Sequence, residues 1–204
     1  MYRGLLPVNG NVKEKFVIRR QLNTQLERLW QEQALLRELT CRVGAVAIAE
    51  QSKSEGILHE DSDANFAAGI EALGLNHERN GHKFIPLAQE RFFLRCSIDI
   101  LFLRREGPGR VVMNGDIDNR LKTLFDALQM PQVKQEIGSE LDGNGDSPFF
   151  VLLENDNIIA DVSVVTDRLL DVPLDFQHES NYVSLVLDVK LQPTRLVDWH
   201  WVFA

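Results

Sequence analysis

The chain has 204 residues, of which 44% are hydrophobic, and a net charge of −8. That is enough apolar material for one domain with its own core, and the acidic balance excludes a protein that coats nucleic acid by bulk charge alone. No run of eighteen apolar residues occurs, and "MYRGLLPVNGNVKEKFVIRR" lacks the apolar segment and cleavage site of a signal peptide, so the expectation is a cytoplasmic protein without membrane spans.

Charge is unevenly spread. Residues 1–30 carry Arg3, Lys13, Lys15, Arg19, Arg20 and Arg28 against Glu14 and Glu27, whereas residues 134–188 carry Lys134 and Arg168 against a dozen acids. A basic face and an ordinary solvated surface both fit this pattern. Within 22–39, Leu22, Leu26, Leu29, Trp30 and Leu36 recur at helical spacing and predict one amphipathic helix. Segments 50–66 and 74–82 are polar or rich in Gly and Asn and read as surface excursions. Cys41 and Cys96 lie far apart with no CxxC spacing and read as buried thiols. From Arg91 to Arg104 the period changes to two. Phe92, Leu94, Cys96, Ile98, Ile100 and Phe102 share one face and Arg95, Ser97 and Asp99 the other, which predicts a long half-buried strand.

"REGPGR" predicts a turn and "VVM" further extended chain. Next comes "NGDIDNRLKTLFDALQMP", in which Leu121, Leu124, Phe125 and Leu128 form an i, i+3, i+4, i+7 face, with Asp118 or Asn119 as its expected N-cap. Residues 134–148 read as a loop. "FFVLLENDNIIADVSVVTDRLL" reads as two strands, or one bent strand, around Asn155-Asp156-Asn157, and 182–191 as a last strand. The predicted architecture is α+β, a single domain with a mixed sheet packed by helices.

Asp116 and Asp118 are two apart, so an extended backbone would send both carboxylates to one side. They read as a helix cap and a loop acid, or as a pair that holds a cation. Lys122 lies one helical turn beyond Asp118, which fits either a plain ion pair or an ammonium serving the same site. Asp126, four residues further, would hold Lys122 in position or join it in a surface charge ladder. Asp156 falls between two apolar extended segments, where an acid needs a partner. Mg²⁺ takes such carboxylates together with phosphate oxygens, and polarises a phosphodiester and a water.

The string Asp116-Ile117-Asp118-Asn119, then Lys122, then Asp126-Ala127-Leu128 resembles the D-x-D-N-x-x-K…D-A-L motif of the RusA-type Holliday-junction resolvases. The stretch from Asn155-Asp156 to Val164 resembles that family's second motif, an acidic pair leading into an apolar strand. The resemblance covers roughly residues 91–167. It implies a RusA-like domain over 1–204, with 1–45 as a helix-bearing extension and 91–191 as the catalytic core. It further implies Asp116, Asp118 and Asp156 as ligands of Mg²⁺, with Mn²⁺ as a substitute, and Lys122 as the active-site lysine. The implied protein is a homodimer whose paired sites cut a four-way DNA junction. Asn155 stands where the family's first acid is usual, and the preceding loop is longer. Arg104, Arg105, Arg110 and Arg120 flank the acids as candidate phosphate contacts, with Asn119, Asp126 and Asn155 in support. Two competing readings are a non-catalytic DNA-binding or assembly protein of the same fold and a metal-dependent nucleotide phosphohydrolase.

Other signals carry less. Asp142, Asn144 and Asp146 imitate a calcium loop, but Ser147 replaces the turn glycine and Glu154 falls one place late. His59, His77, His82, His178 and His200 lack zinc spacing, and the tryptophans of "DWHWVF" read as packing groups. Asp99 is expected in a cross-strand or diagonal ion pair.

Overall fold

A computed structural model of the chain describes residues 1–52, 62–105, 116–137 and 148–195, with the backbone alone for Gln51, Ser52 and Asp116. The described elements run β1 (Tyr2–Leu5), α1 (Val12–Glu32), α2 (Ala34–Ser52), α3 (Asp63–Leu75), β2 (Glu78–Arg79), β3 (His82–Ala88), β4 (Leu94–Arg104), α4 (Asp116–Leu128), α5 (Lys134–Ile137), β5 (Phe149–Leu153), β6 (Ile159–Arg168) and β7 (Tyr182–Pro193). The fold is α+β with two mixed sheets. One has the order β1-β7-β4-β6, the other β2-β3-β5. Residues 106–110 of the turn "REGPGR", the strand "VVM", most of the 134–148 loop and "DWHWVF" lie outside the described residues.

β4 is central because its alternation is clean. Leu94, Cys96, Ile98, Ile100 and Phe102 are buried, and both neighbours pair along its length, β7 antiparallel and β6 parallel. Phe92 belongs to a short 3-10 turn before it. β5 has no alternation: Phe149 to Leu153 are all buried, as suits a strand in parallel pairing with β3 and covered on both faces. β5 is also an edge strand, and α1 covers it. The buried Asn23 accepts the Phe150 N–H at 2.7 Å, so the edge leaves no orphan donor there. The predicted strands around Asn155-Asp156-Asn157 are therefore real, but β5 and β6 enter different sheets.

The predicted 22–39 helix is two helices. Gln33 adopts extended dihedrals (φ −79°, ψ 116°), its N–H closes α1 on Leu29, and its side-chain oxygen accepts the Leu36 N–H at 2.8 Å to start α2. Leu22, Trp30 and Leu36 enter one core from either side of the break, whereas Leu29, predicted on the same face, is exposed. Segments 50–66 and 74–82 are also corrected. α3 starts after Ser62, whose side chain accepts the Asn65 N–H, and α3 packs on α2 through small residues. Asn80 and Gly81 (φ 52° and 81°) join β2 to β3 by a two-residue hairpin turn. Lys134–Ile137 forms a short helix inside the expected 134–148 loop.

Candidate functional site

α4 begins at Asp116, so the expected cap at Asp118 or Asn119 is not there; both lie inside the first turn. Two residues on a helix point about 200° apart, so the extended geometry that would align Asp116 with Asp118 does not apply. The Asp116 side chain lies outside the described residues. On α4, Leu124 and Leu128 are fully buried, and Leu121 and Phe125 pack half-buried against the same core. Asp118 and Lys122 face solvent on the opposite side, and among the described residues neither makes an ion pair, so the i, i+4 bridge is not formed.

Asp126 does not hold Lys122. Its carboxylate takes the Lys15 ammonium at 2.7 Å, and its carbonyl accepts from Arg19 at 2.9 Å. Burial lowers the Arg19 pKa to about 10 against the pull of Glu136 and Asp126. Thr123 accepts the Gly10 N–H at 2.8 Å and donates to the Asn119 carbonyl at 3.2 Å, so the 6–11 loop is fastened to the first turns of α4.

Asp156 lies elsewhere. Met130 N–H donates to the Leu153 carbonyl at 2.8 Å, which places the end of β5 beside the C-terminal end of α4. Asp118 is ten residues up that helix from Leu128, ~15 Å along its axis. The strands agree: Ile159 pairs with Cys96, whereas Arg120 reaches Asn181, next to the β7 residues that pair with Arg104. Cys96 and Arg104 are ~26 Å apart along β4. One chain therefore does not bring Asp118 and Asp156 together. Asp156 is exposed at the start of a 3-10 turn capped by Asn155, whose oxygen accepts the Asn157 N–H at 3.0 Å. The Asn155 amide donates to Glu90 at 2.9 Å, and Glu154 accepts the Glu90 N–H at 2.8 Å. An asparagine suits this place because an aspartate would set two carboxylates face to face.

The arginines divide. Arg104 and Arg120 are 4% and 5% exposed and do not reach solvent as phosphate contacts. Arg120 donates to Asn181 Oδ1 at 3.0 Å. Arg110 lies outside the described residues. Arg105 is exposed and donates to the Gln177 carbonyl. Arg105 and Arg120 thus both grip residues 169–181, the connection from β6 to β7. Arg168 and His178, which the sequence reading did not select, line a groove there with Arg105. Only pairing across β4 and β6 brings Arg168 to this end, and no local motif announces it.

Asp99 forms the expected diagonal ion pair, with Lys190 at 2.7 Å, which also lies 3.6 Å from Asp188, the acid directly across from Asp99. Both cysteines are buried thiols in no disulfide, and burial raises the Cys96 thiol to about 11. His77 is buried; it lies 3.8 Å from Glu154, and desolvation lowers its pKa. Among the described residues no group of three acids, histidines or cysteines stands close enough to hold a metal, and no helix is long and apolar enough to cross a membrane. No family model, no curated protein and no solved structure matches the chain.

Proposed function

We propose that the chain is a RusA-like endodeoxyribonuclease acting on branched DNA, with its reactive groups at the N-terminal end of α4. The observation that carries this is the state of Asp118 and Lys122. Both are exposed, one turn apart, and among the described residues committed to no protein partner, at the end of the sheet where Arg105 and Arg168 gather. An uncommitted ammonium beside an uncommitted carboxylate suits a phosphodiester: Lys122 offsets charge on the phosphoryl oxygens, and Asp118 orients a water or its proton. Mg²⁺ belongs to the reading through the family resemblance, but the described acids of one chain do not assemble a set to hold it, and no step is assigned to it. The homodimer that the same resemblance implies offers one way to unite the separated acids, with Asp118 of one copy meeting Asp156 of a second.

A second reading, a non-catalytic DNA-binding protein, is favoured by the separation of Asp118 from Asp156. Incubating the protein with labelled four-way junction, flap and linear duplex, in Mg²⁺ or in EDTA, separates the two. The nuclease reading expects Mg²⁺-dependent cutting of a branched substrate; junction binding with no cutting of any substrate supports the second.

A further inference from the structure

Residues 169–181 leave β6 at the edge of the four-stranded sheet and must pass the end of β4 to reach β7, because β4 lies between the two. They form an arch over that end. The arch is fastened at three points: Leu169 N–H to the Arg104 carbonyl at 2.6 Å, Arg105 to the Gln177 carbonyl, and Arg120 to Asn181. Between the arch and the strand ends lies an open groove of about 630 Å³.

Two guanidinium groups, those of Arg105 and Arg168, line this groove together with the His178 imidazole. Among the described residues Asp171 is the one acid in its lining, and it makes no ion pair with either arginine. Arg168 makes no side-chain bond to the described protein, whereas Arg105 is held in place by Gln177. Among the described residues neither arginine makes an ion pair, so two guanidinium groups meet in one groove with their charge available to an anion. The groove is open, which suits a phosphate carried on a chain better than a small enclosed anion. Leu169, Leu170 and Val172 add an apolar wall that a sugar can lie against.

We infer that this groove binds the phosphodiester backbone of a nucleic-acid strand through Arg168 and Arg105, with His178 as a third donor. The inference rests on the proposed action on DNA and names where a strand is held beside α4.

The test is fluorescence anisotropy with a fluorescein-labelled four-way DNA junction in EDTA, over a salt series, on wild type and Arg168→Ala. Arg28→Ala serves as the control, because Arg28 pairs with Glu32 near the C-terminal end of α1. Arg168→Ala should melt like the wild type, since its side chain holds no protein group. It should bind about fivefold more weakly and lower the salt slope by about 0.9 per lost phosphate contact. Arg28→Ala should change neither. Unchanged affinity and slope in Arg168→Ala and in the Arg105→Ala, Arg168→Ala double variant overturn the inference, even if the wild type cuts DNA in Mg²⁺. A loss confined to the groove variants supports it even if no cutting is seen, in which case the nuclease reading fails alone. A wild type that binds no junction overturns both.

Discussion

Asp118 and Asp156 stand at opposite ends of the sheet, Asp118 two residues from the arginine that reaches Asn181 and Asp156 three residues before the strand position paired with Cys96. Two carboxylates so placed cannot share an ion within one chain. Each is exposed, and among the described residues neither carboxylate makes a hydrogen bond or an ion pair. That condition costs stability nothing and leaves both available to a ligand or a second copy.

The contact of α2 with α3 leaves no room for a side chain at its crossing. A Cβ added at Gly44 would collide with the Asn65 carbonyl, and one at Gly69 with the Thr40 carbonyl, both of them backbone groups that cannot swing aside. Gly44→Ala and Gly69→Ala should each destabilise by about 1–3 kcal/mol despite the better helix propensity of alanine. Urea unfolding monitored by circular dichroism checks this, and a stabilised Gly44→Ala would show that the helices are not in this contact.

Asn155→Asp restores the acid that the family resemblance leads one to expect, yet it should weaken the protein. The new carboxylate keeps the cap on Asn157 but faces Glu90, where the amide now donates at 2.9 Å. The expected cost is about 1 kcal/mol at low salt, shrinking as salt screens the exposed pair. Denaturant midpoints at two ionic strengths measure it; equal midpoints for variant and wild type would refute the contact.

His77 gives the stability a pH dependence of definite sign. Its folded pKa lies below the ordinary 6.5, chiefly through desolvation, with Arg91 and Arg79 also lowering it and the Leu73 carbonyl and Glu154 opposing. The unfolded chain therefore takes up the proton first, and stability is lost as pH falls below 6.5 toward the folded pKa. His77→Gln should flatten the unfolding free energy across that window. An unchanged slope in the variant would assign the pH dependence to other groups.

Much of the frame was legible in the sequence, and the site was not. β4 and α4 announce themselves because burial on one face writes a period into their own residues. Gln33 hides its break because a glutamine is an unusual cap and the apolar rhythm carries on across it. The Asn80-Gly81 hairpin leaves little trace in the sequence because β2 is only two residues long and β3 is buried without alternation. Asp126 looked like a neighbour of Lys122 by spacing, and only the packing of α1 on α4 delivers Lys15 to it. Asp118 and Asp156 fail to meet for the same reason: the approach of two segments depends on strand order and register, which no local pattern encodes.

The most direct test of the account mixes two variants. Asp118→Asn and Asp156→Asn should each keep the wild-type melting temperature, because both side chains are exposed and make no bond among the described residues. Each alone should nick a labelled four-way junction at least about a hundredfold more slowly in Mg²⁺. When the two are unfolded, mixed in equal amounts and refolded together, half of the dimers hold one chain of each kind. Each mixed dimer has one site with Asp118 from one copy and Asp156 from the other intact, so nicking should return to about a quarter of the wild-type level. No recovery on mixing, against an active wild type treated in the same way, would contradict a site completed between two copies at the N-terminal end of α4.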